Sequence, residues 1–161
     1  MTTYSTQFDS PVGTLLALTK SDAIIALHMV GGKHVPATND VWIDSPKLPV
    51  FLQLRQELTE YFAGTRRAFD VKLAPEGTEF QQAAWAALTK IPYGQTRTYG
   101  EQAVAIGKPA AVRAVGAANG RNPIGILVPC HRVIGASGAL TGYAGGLHNK
   151  EFLLRLEGIG V

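Results

Sequence analysis

The stretch Ile126-Leu-Val-Pro-Cys-His-Arg-Val-Ile134 places the only cysteine of the chain directly before a histidine and an arginine. The apolar run that ends at Pro129 predicts a buried strand or extended segment, and the proline stops regular structure so that Cys130 begins a turn. A lone cysteine is most often a small buried hydrophobe, and that alternative stays open at this point. Against it, His131 and Arg132 can supply the base or positive charge that a thiolate needs near neutral pH.

Length and composition bound the class of the protein. With 161 residues, 46% of them hydrophobic, the chain can bury a sizeable core as one domain or two small ones. No apolar run is long enough to span a bilayer, and residues 1–5 have no signal-like character, so we expect a cytoplasmic protein with no membrane partner. One cysteine cannot form a disulfide within the chain, and the four histidines show no ligand spacing, which predicts no metal site.

Charge is divided unevenly along the chain. Residues 1–80 carry seven Lys and Arg against nine Asp and Glu, whereas residues 81–161 carry eight against three, giving charges of −2 and +5. The basic half also contains Cys130. A basic surface around a reactive residue favours an anionic partner such as nucleic acid, although many basic patches are only solvated faces and this alternative stays open.

The N-terminal part has the pattern of a small α/β scaffold. Short β-type runs separated by turn sequences predict a meander of antiparallel strands at residues 4–8, 14–19 and 23–29. Residues 31–44 lack periodicity and are predicted to form a loop. Ser45 followed by Pro46 predicts the start of an amphipathic helix that ends at Gly64 and covers the sheet, and residues 68–73 can supply another strand.

A composition change marks the candidate domain boundary at residues 74–77, which have the sequence Ala-Pro-Glu-Gly. It divides the chain into an N-terminal α/β domain of residues 1–74 and a C-terminal helical domain of residues 75–161. In the second domain, Thr78 with Gln81 and Thr98 with Glu101 have the spacing of capping boxes, and each pair predicts the start of a helix.

Three more helical segments are predicted after the first capping box. The second box opens a short helix of residues 98–106, and Pro109 after a tight turn starts another that runs to about Asn119. A last helix over residues 148–158 is expected to turn Phe152, Leu153 and Leu156 inward.

The helix that starts at Pro109 has an unusual surface. At 100° per residue, Val112 and Val115 lie on one side, and the opposite side holds one arginine among small residues, namely Ala110, Arg113, Ala114 and Ala117. A helix that reads the major groove normally presents several long polar side chains, so this face suits close approach in the minor groove, with Arg113 able to occupy the space of a displaced base. The two short helices form a helix-turn-helix candidate, and an ordinary helical hairpin with close packing is an open alternative.

Other polar and glycine-rich features flank the cysteine in sequence. Asn122 lies in a turn where its side chain can bond backbone groups of the segment that leads to Cys130. Residues 135–146 form a glycine-rich loop that can line a pocket with backbone N–H groups and Tyr143. Glu157, near the end of the last helix, is the one plausible carboxylate partner for His131.

With these segments in place, the sequence resembles the O6-alkylguanine-DNA alkyltransferases, also called methylated-DNA–protein-cysteine methyltransferases. The resemblance lies in the order and spacing of several C-terminal motifs: Gly77-Thr-Glu-Phe-Gln81, Ile91-Pro-Tyr-Gly94, Arg113-Ala-Val-Gly-Ala-Ala-Asn119, Asn122-Pro123, Val128-Pro-Cys-His-Arg-Val133, Thr141-Gly-Tyr-Ala-Gly-Gly146 and Glu157-Gly158. It implies an N-terminal ribonuclease-H-like antiparallel sheet with a helix, and a C-terminal helical domain that contains a helix-turn-helix. The N-terminal half is compatible with this expectation and carries none of the motifs.

The resemblance also implies a reaction. Cys130 would accept an alkyl group from O6 of guanine, and less efficiently from O4 of thymine, by direct displacement. His131, acting through a water and oriented by Glu157, would take the thiol proton, and Asn122 would hold the turn. Tyr99 would donate to the guanine or stabilise its leaving charge, and would crowd the 3′ phosphate so that the nucleotide rotates out.

Further site residues follow from the same resemblance. Arg113 would fill the vacated stack during base flipping. The expected DNA-binding residues are Arg113, Ala110, Ala111, Ala114, Gly116, Ala117, Tyr99 and Arg132, and the expected base pocket comprises Asn119, Val133, Tyr143, Ala144 and Gly145. The glycines, Gly145 among them, are expected to leave the pocket rim uncrowded for bulky alkyl groups.

The chain departs from some relatives in ways that bear on its chemistry. Certain members of the family bind a structural zinc through N-terminal cysteines, and this chain has none there, so we expect no metal and no cofactor. A related class of damage sensors replaces the acceptor cysteine, whereas Cys130 is present. No second cysteine can resolve a thioether, so each molecule should react once. We expect a monomer that binds double-stranded DNA containing O6-alkylguanine, with cooperative binding left open.

Two other classes of function remain to be tested. One is a non-catalytic DNA-binding module in which Cys130 is structural. The other is a thiol hydrolase or protease, which needs repeated turnover and which a single equivalent of reaction would disfavour.

Overall fold

The structure, a computed structural model, describes residues 1–161 and begins with a small sheet. Its strands are β1 (Tyr4–Ser10), β2 (Gly13–Thr19), β3 (Ile24–Met29) and β4 (Ile43–Asp44), in the order β3-β2-β1-β4. The first three strands form the predicted antiparallel meander. β4 runs parallel to β1, so the sheet is mixed, and the loop predicted over residues 31–44 contains this short strand.

Helix α1 (Pro49–Phe62) covers the sheet, as its apolar spacing predicts. It begins later than predicted, because residues 45–48 close a turn in which the N–H of Leu48 donates to the carbonyl of Ser45 at 3.2 Å. Proline then occupies the first helical position, where its missing N–H costs no hydrogen bond. The strand expected over residues 68–73 is reduced to one isolated bridge between Ile24 and Leu73.

The C-terminal half is helical, with a two-stranded parallel ladder. Its elements are α2 (Glu79–Thr89), β5 (Arg97–Thr98), α3 (Tyr99–Ala105), α4 (Val112–Gly120), β6 (Val133–Ile134) and α5 (Leu147–Leu156). Both predicted capping boxes are confirmed, since the side chains of Thr78 and Thr98 each accept from the N3 backbone and receive the reciprocal bond. None of these helices, nor α1, is long and apolar enough to cross a membrane.

Two details of the helical half differ from the sequence-based expectation. α4 begins at Val112 because residues 108–111 form a turn closed by the N–H of Ala111 and the carbonyl of Lys108 at 2.9 Å, so the predicted start at Pro109 is wrong. Phe152 is 36% exposed, whereas Leu153 is fully buried, so α5 turns its Leu153 side inward and the inward placement of Phe152 is wrong.

One continuous apolar core joins the two halves. Leu27 from the sheet and Leu54 from α1 belong to the same buried cluster as Trp85, Ile124 and Leu153. The edge strand β3 also pairs with the segment before the cysteine, because the N–H of Leu27 donates to the carbonyl of Pro123 at 2.8 Å and the N–H of Gly125 donates back to Leu27 at 3.0 Å. The sheet therefore positions the chain that leads to Cys130.

Candidate active site

The segment from Ile124 to Pro129 is buried, as predicted, but it is not a regular strand. The N–H of Leu127 donates to the carbonyl of Gly125 at 2.8 Å across Ile126, whose φ is +71°. A positive φ at a β-branched residue is strained and persists only where surrounding packing enforces it, and Ile126 is 2% exposed. A second tight turn, in which the N–H of Cys130 donates to the carbonyl of Val128, follows directly and leads into a 3₁₀ turn of residues Cys130–Arg132. The two tight turns form a double turn over residues 125–130.

Asn122 holds this segment from the end of α4. Its Nδ2 donates to the carbonyl of Val128 at 2.8 Å and lies 3.3 Å from Sγ of Cys130, while its Oδ1 accepts from the N–H of Ile124 at 3.0 Å. One buried amide thus fixes both ends of the double turn and reaches the sulfur itself. The sequence-based hypothesis that Asn122 bonds the approach to Cys130 is consistent with this geometry.

His131 and Glu157 form a buried pair behind the cysteine. Nε2 of His131 lies 2.7 Å from Oε2 of Glu157, and both side chains have no solvent exposure. Nδ1 of His131 has no hydrogen-bond partner in the protein. A carboxylate can only accept, so His131 carries its proton on Nε2 when neutral, and Nδ1 is left as a basic atom.

Glu157 is the most heavily bonded side chain of the site. Besides His131, it accepts from Nε of Arg132 at 2.8 Å, from the hydroxyl of Tyr61 at 2.6 Å and from the N–H of Gly94 at 3.1 Å. Burial opposes its ionisation, yet the hydrogen bonds from His131 and Arg132 prevail and lower the pKa of Glu157 to about 2. The carboxylate is therefore charged throughout the physiological range.

Arg132 does not lie on an exposed surface. Its side chain is 8% exposed, and its guanidinium bonds Glu157 through two nitrogens and donates to the carbonyl of Ile91 at 2.7 Å. This position argues against the predicted DNA-binding role of Arg132, because the guanidinium is buried and three of its five N–H groups already donate within the protein. Arg132 instead neutralises Glu157.

The pKa values of the Cys130 thiol and the His131 imidazole shift in opposite directions, and burial is the main cause of both shifts. Burial raises the pKa of Cys130, and the hydrogen bond from Asn122 and the charge of Lys150 oppose that shift. Burial lowers the pKa of His131, and its bond to Glu157 opposes that shift. A neutral thiol beside a neutral imidazole is the resting state that these directions favour.

A pocket of about 200 Å³ opens beside the sulfur. Of the residues predicted to form the base pocket, Asn119, Tyr143 and Ala144 line it together with Cys130 and Tyr99. Val133 is fully buried behind it. The hydroxyl of Tyr99 donates to the carbonyl of Thr141 at 3.0 Å, which ties α3 to the glycine-rich loop.

Gly145 is in a crowded position, contrary to the sequence-based expectation. A Cβ atom at this position would overlap Sδ of Met29 and would lie 2.9 Å from Cε2 of Tyr143. Glycine is needed at this position because the sheet packs directly on the loop, so the expectation that Gly145 leaves the rim open is wrong.

Sequence reasoning missed the N-terminal contribution to the pocket. Lys33 and His34, in the loop after β3, line the same cavity as Cys130, and the N–H of Lys33 donates to the carbonyl of Ala144 at 2.8 Å. The Gly31-Gly32 pair was a sign of a close approach, since a Cβ on Gly32 would lie 2.7 Å from the carbonyl oxygen of Ala144.

Lys150 was also missed, because nothing in an amphipathic helix pattern identifies a buried amine. It is fully buried, and its Nζ donates to the carbonyls of Val133, Thr141 and Gly142. Burial lowers the pKa of Lys150 to about 8, and proximity to Cys130 acts in the opposite direction. The amine thus links the loop to the strand that follows the cysteine.

The outer face of α4 is exposed and small, as its sequence predicts. Arg113, Ala114 and Ala117 are exposed, and Val115 and Ala118 are buried. Gly116 lies under the Tyr99 ring, since a Cβ there would be 3.8 Å from the ring carbons. Ala110 and Ala111 lie in the turn before the helix. This face borders the pocket and leaves room for a flat, close-fitting partner.

Comparison with known proteins connects this geometry to a family. The ribonuclease-like domain of 6-O-methylguanine DNA methyltransferase matches residues 3–75, and the DNA binding domain of 6-O-methylguanine DNA methyltransferase matches residues 79–159. The chain is 54% identical to a methylated-DNA–protein-cysteine methyltransferase of Methanosarcina acetivorans over 96% of this chain and 98% of the relative. It is 48% identical to that of Haemophilus influenzae, over 97% and 87%.

A solved structure is similar over nearly the whole chain. The Mycobacterium tuberculosis OGT crystallised in complex with DNA has a TM-score of 0.88 and 47% sequence identity, covering 98% of this chain and 92% of the other. The likeness therefore includes both halves and their relative placement.

Proposed function

Because the chain belongs to the 6-O-methylguanine DNA methyltransferase family, we propose that it repairs DNA by moving the O6-alkyl group of a damaged guanine to its own Cys130. The observation that carries the assignment of Cys130 is the connected set of Asn122, Cys130, His131 and Glu157, in which every buried polar atom except Nδ1 of His131 has a partner. Methyl transfer from oxygen to sulfur needs a strong, soft nucleophile, and a thiolate is the best that side chains provide.

The proton of the thiol leaves through His131. Nδ1 of His131 takes it, through one water, and the imidazolium that results is stabilised by the charged Glu157. Two further groups favour the thiolate: Nδ2 of Asn122, which lies 3.3 Å from Sγ, and the charge of Lys150. Sulfur then attacks the alkyl carbon, the carbon–oxygen bond breaks, and its electron pair stays on O6 of guanine.

His131 releases the thiol proton through water to the leaving base, so the overall reaction converts a thiol and an O6-alkylguanine into a thioether and guanine. Tyr99 lines the pocket and is the donor that we assign to the base, and burial raises its pKa so that it stays a phenol. Donation to guanine requires Tyr99 to release the carbonyl of Thr141. A thioether is inert and the chain has no second cysteine, so each molecule reacts once.

The damaged base must leave the duplex to reach the buried sulfur of Cys130. Cys130 is 9% exposed, too little for a stacked guanine to reach. The exposed small face of α4 fits the minor groove, and Arg113 fills the stack from which the nucleotide has rotated. The remaining DNA-contacting residues are Ala114, Gly116 and Ala117 of α4, Ala110 and Ala111 of the turn before it, and Tyr99 at the start of α3.

The finer details of activity belong to the same proposal. O4-alkylthymine presents a similar ether oxygen and is the weaker substrate. The chain acts as a monomer, and cooperative binding on DNA is a testable alternative. A free thiol that must stay reduced favours the cytoplasm. Residues 1–74 and 75–161 are the two domains.

Intact mass measurement tests the proposal. After incubation with a duplex that contains one O6-methylguanine, the protein should gain one CH2 unit, mapped to Cys130, and stop at one equivalent. Cys130→Ser should bind the lesion without gaining mass. A protein that binds DNA but gains no mass would be a non-catalytic binding module, and continued turnover would indicate a thiol hydrolase.

A further inference from the structure

One side chain of the N-terminal half reaches the carboxylate of Glu157. Tyr61, in the last turn of α1, has no solvent exposure, and its hydroxyl donates to Oε2 of Glu157 at 2.6 Å. The other donors to this carboxylate, Gly94, His131 and Arg132, all come from the C-terminal half. Residues 96 positions apart in sequence are therefore joined by a short buried hydrogen bond.

Tyr61 and His131 share one oxygen of Glu157. Oε2 accepts from the Tyr61 hydroxyl at 2.6 Å and from Nη2 of Arg132 at 3.1 Å, and it lies 2.7 Å from Nε2 of His131. Oε1 accepts from Nε of Arg132 and from the N–H of Gly94. Burial and the neighbouring negative charge of Glu157 raise the pKa of Tyr61, so the phenol keeps its proton and acts only as a donor here. Together with Arg132, this donor limits the rotation of the carboxylate and so fixes the direction in which it faces His131.

The direction of that carboxylate decides which nitrogen of His131 is basic. With Oε2 held opposite Nε2, the ring keeps its proton on Nε2, and Nδ1 is left without a partner as the basic nitrogen. In catalytic triads, the carboxylate that orients the histidine through its second nitrogen strongly affects the rate by setting the tautomer of the ring.

On the proposed function, we infer that Tyr61 is a positioning residue for alkyl transfer: the N-terminal half supplies the hydroxyl that orients Glu157 and, through it, His131. The reaction centre is thus completed by both halves of the chain. The DNA-binding domain match, residues 79–159, contains the nucleophile and the relay but not this donor.

Tyr93 provides a matched control. Its ring packs edge-on against Tyr61 with centroids 6.2 Å apart, and its hydroxyl donates to the backbone carbonyl of Leu156 at 3.3 Å, without touching Glu157. Tyr61→Phe and Tyr93→Phe each remove one oxygen from the same aromatic cluster, which also includes Phe62 and Phe69. Only the first removes a donor from the carboxylate.

The test compares single-turnover rates of the two variants and the wild type with the free base O6-benzylguanine, which removes DNA binding from the measurement. Tyr61→Phe should react about tenfold more slowly, as expected for a lost hydrogen bond to a charged group, and Tyr93→Phe should react at the wild-type rate. Equal slowing of both variants, or a wild-type rate for Tyr61→Phe, would overturn the inference. A wild type that takes up no benzyl group would instead overturn the proposed function.

Nitrogen-15 NMR of His131 supplies a readout that a packing role would not move. The wild type should show the Nε2–H tautomer, Tyr61→Phe should shift the ring nitrogens toward a mixture, and Tyr93→Phe should leave them unchanged. If Tyr61→Phe does not fold, the wild type alone decides: the Tyr61 hydroxyl proton should be observed downfield with a nuclear Overhauser contact to the Nε2 proton of His131. The absence of that contact would contradict the inference.

Discussion

Leu27 in β3 and Ile124 in the approach to the cysteine lie side by side as a parallel bridge, held by two backbone hydrogen bonds of 2.8 and 3.0 Å. Both residues are almost fully buried in the core that the two halves share. The bridge fixes the start of the double turn, and Asn122 fixes its end. The sulfur is thus held between the N-terminal sheet and the C-terminal helices, and its reactivity depends on contacts from both.

Removing the Asn122 amide should weaken both the fold and the reaction. Asn122→Ala leaves the N–H of Ile124 buried without a partner, removes one of the two donors to the carbonyl of Val128 and removes the donor to Sγ. We expect a loss of about 2–3 kcal/mol in the free energy of unfolding and at least tenfold slower alkyl transfer. Urea denaturation and single-turnover rates would check both, and a stable variant with a wild-type rate would contradict this role.

Arg113→Ala should impair repair in duplex DNA far more than reaction with O6-benzylguanine. The side chain is exposed on α4 and does not contact the sulfur, so it can affect the reaction only through DNA. Arg55→Ala, which removes an exposed arginine from α1, controls for the loss of charge and should have little effect on either substrate. Equal losses on both substrates would argue against a flipping role.

Lys150 should make the folding stability of the protein depend on pH in the alkaline range. Its pKa of about 8 in the folded protein lies below the ordinary lysine value of 10.5, so between these values the unfolded chain binds more protons and the stability due to Lys150 rises with pH. Comparing Cys130→Ser with Cys130→Ser/Lys150→Met removes the thiol titration. Between pH 8 and 10.5, the free energy of unfolding of Cys130→Ser should rise by up to about 3 kcal/mol relative to that of the double variant. A pH-independent difference would contradict a shifted lysine.

The loss of folding stability in acid should depend mainly on Glu157. Its pKa is lowered from 4.5 to about 2, so the stability it contributes is complete above pH 4.5 and is lost as the pH falls toward 2. Between pH 4.5 and 2, the free energy of unfolding of Glu157→Gln should fall less steeply than that of the wild type. The variant should also transfer alkyl groups at least tenfold more slowly. Glu76→Gln, an exposed carboxylate paired with Lys20, is the control and should retain the wild-type profile.

Gly145→Ala should disturb the pocket rather than leave it unchanged. The added methyl group meets Met29 and Tyr143, so it must displace the wall of the pocket, and we expect lower stability by about 1–3 kcal/mol with slower transfer. Adding Met29→Ala should restore part of the rate by making room. Gly100→Ala is the matched control, because its Cβ would meet only Thr98 at 3.8 Å.

Local chemistry explains why part of this molecule was predictable. Capping boxes at Thr78 and Thr98 depend on residues three positions apart, and the meander depends on alternation and turn residues, so both are readable from the chain. Pairing of His131 with Glu157 was predictable because few carboxylates are available in the basic half. The start of α4 was misplaced because a turn at residues 108–111 competes with the helix, and local sequence does not decide between them.

The sequence by itself determined the reactive group, the helix carrying Arg113 and the family to which they belong, because these depend on residue identity and short spacing. Only the tertiary structure decided that Arg132 bonds Glu157, that Gly145 is packed against Met29, and that Lys150 and Tyr61 enter the site. These features depend on which buried surfaces meet across the shared core. Such contacts join residues far apart in the chain, and no local pattern of residues encodes them.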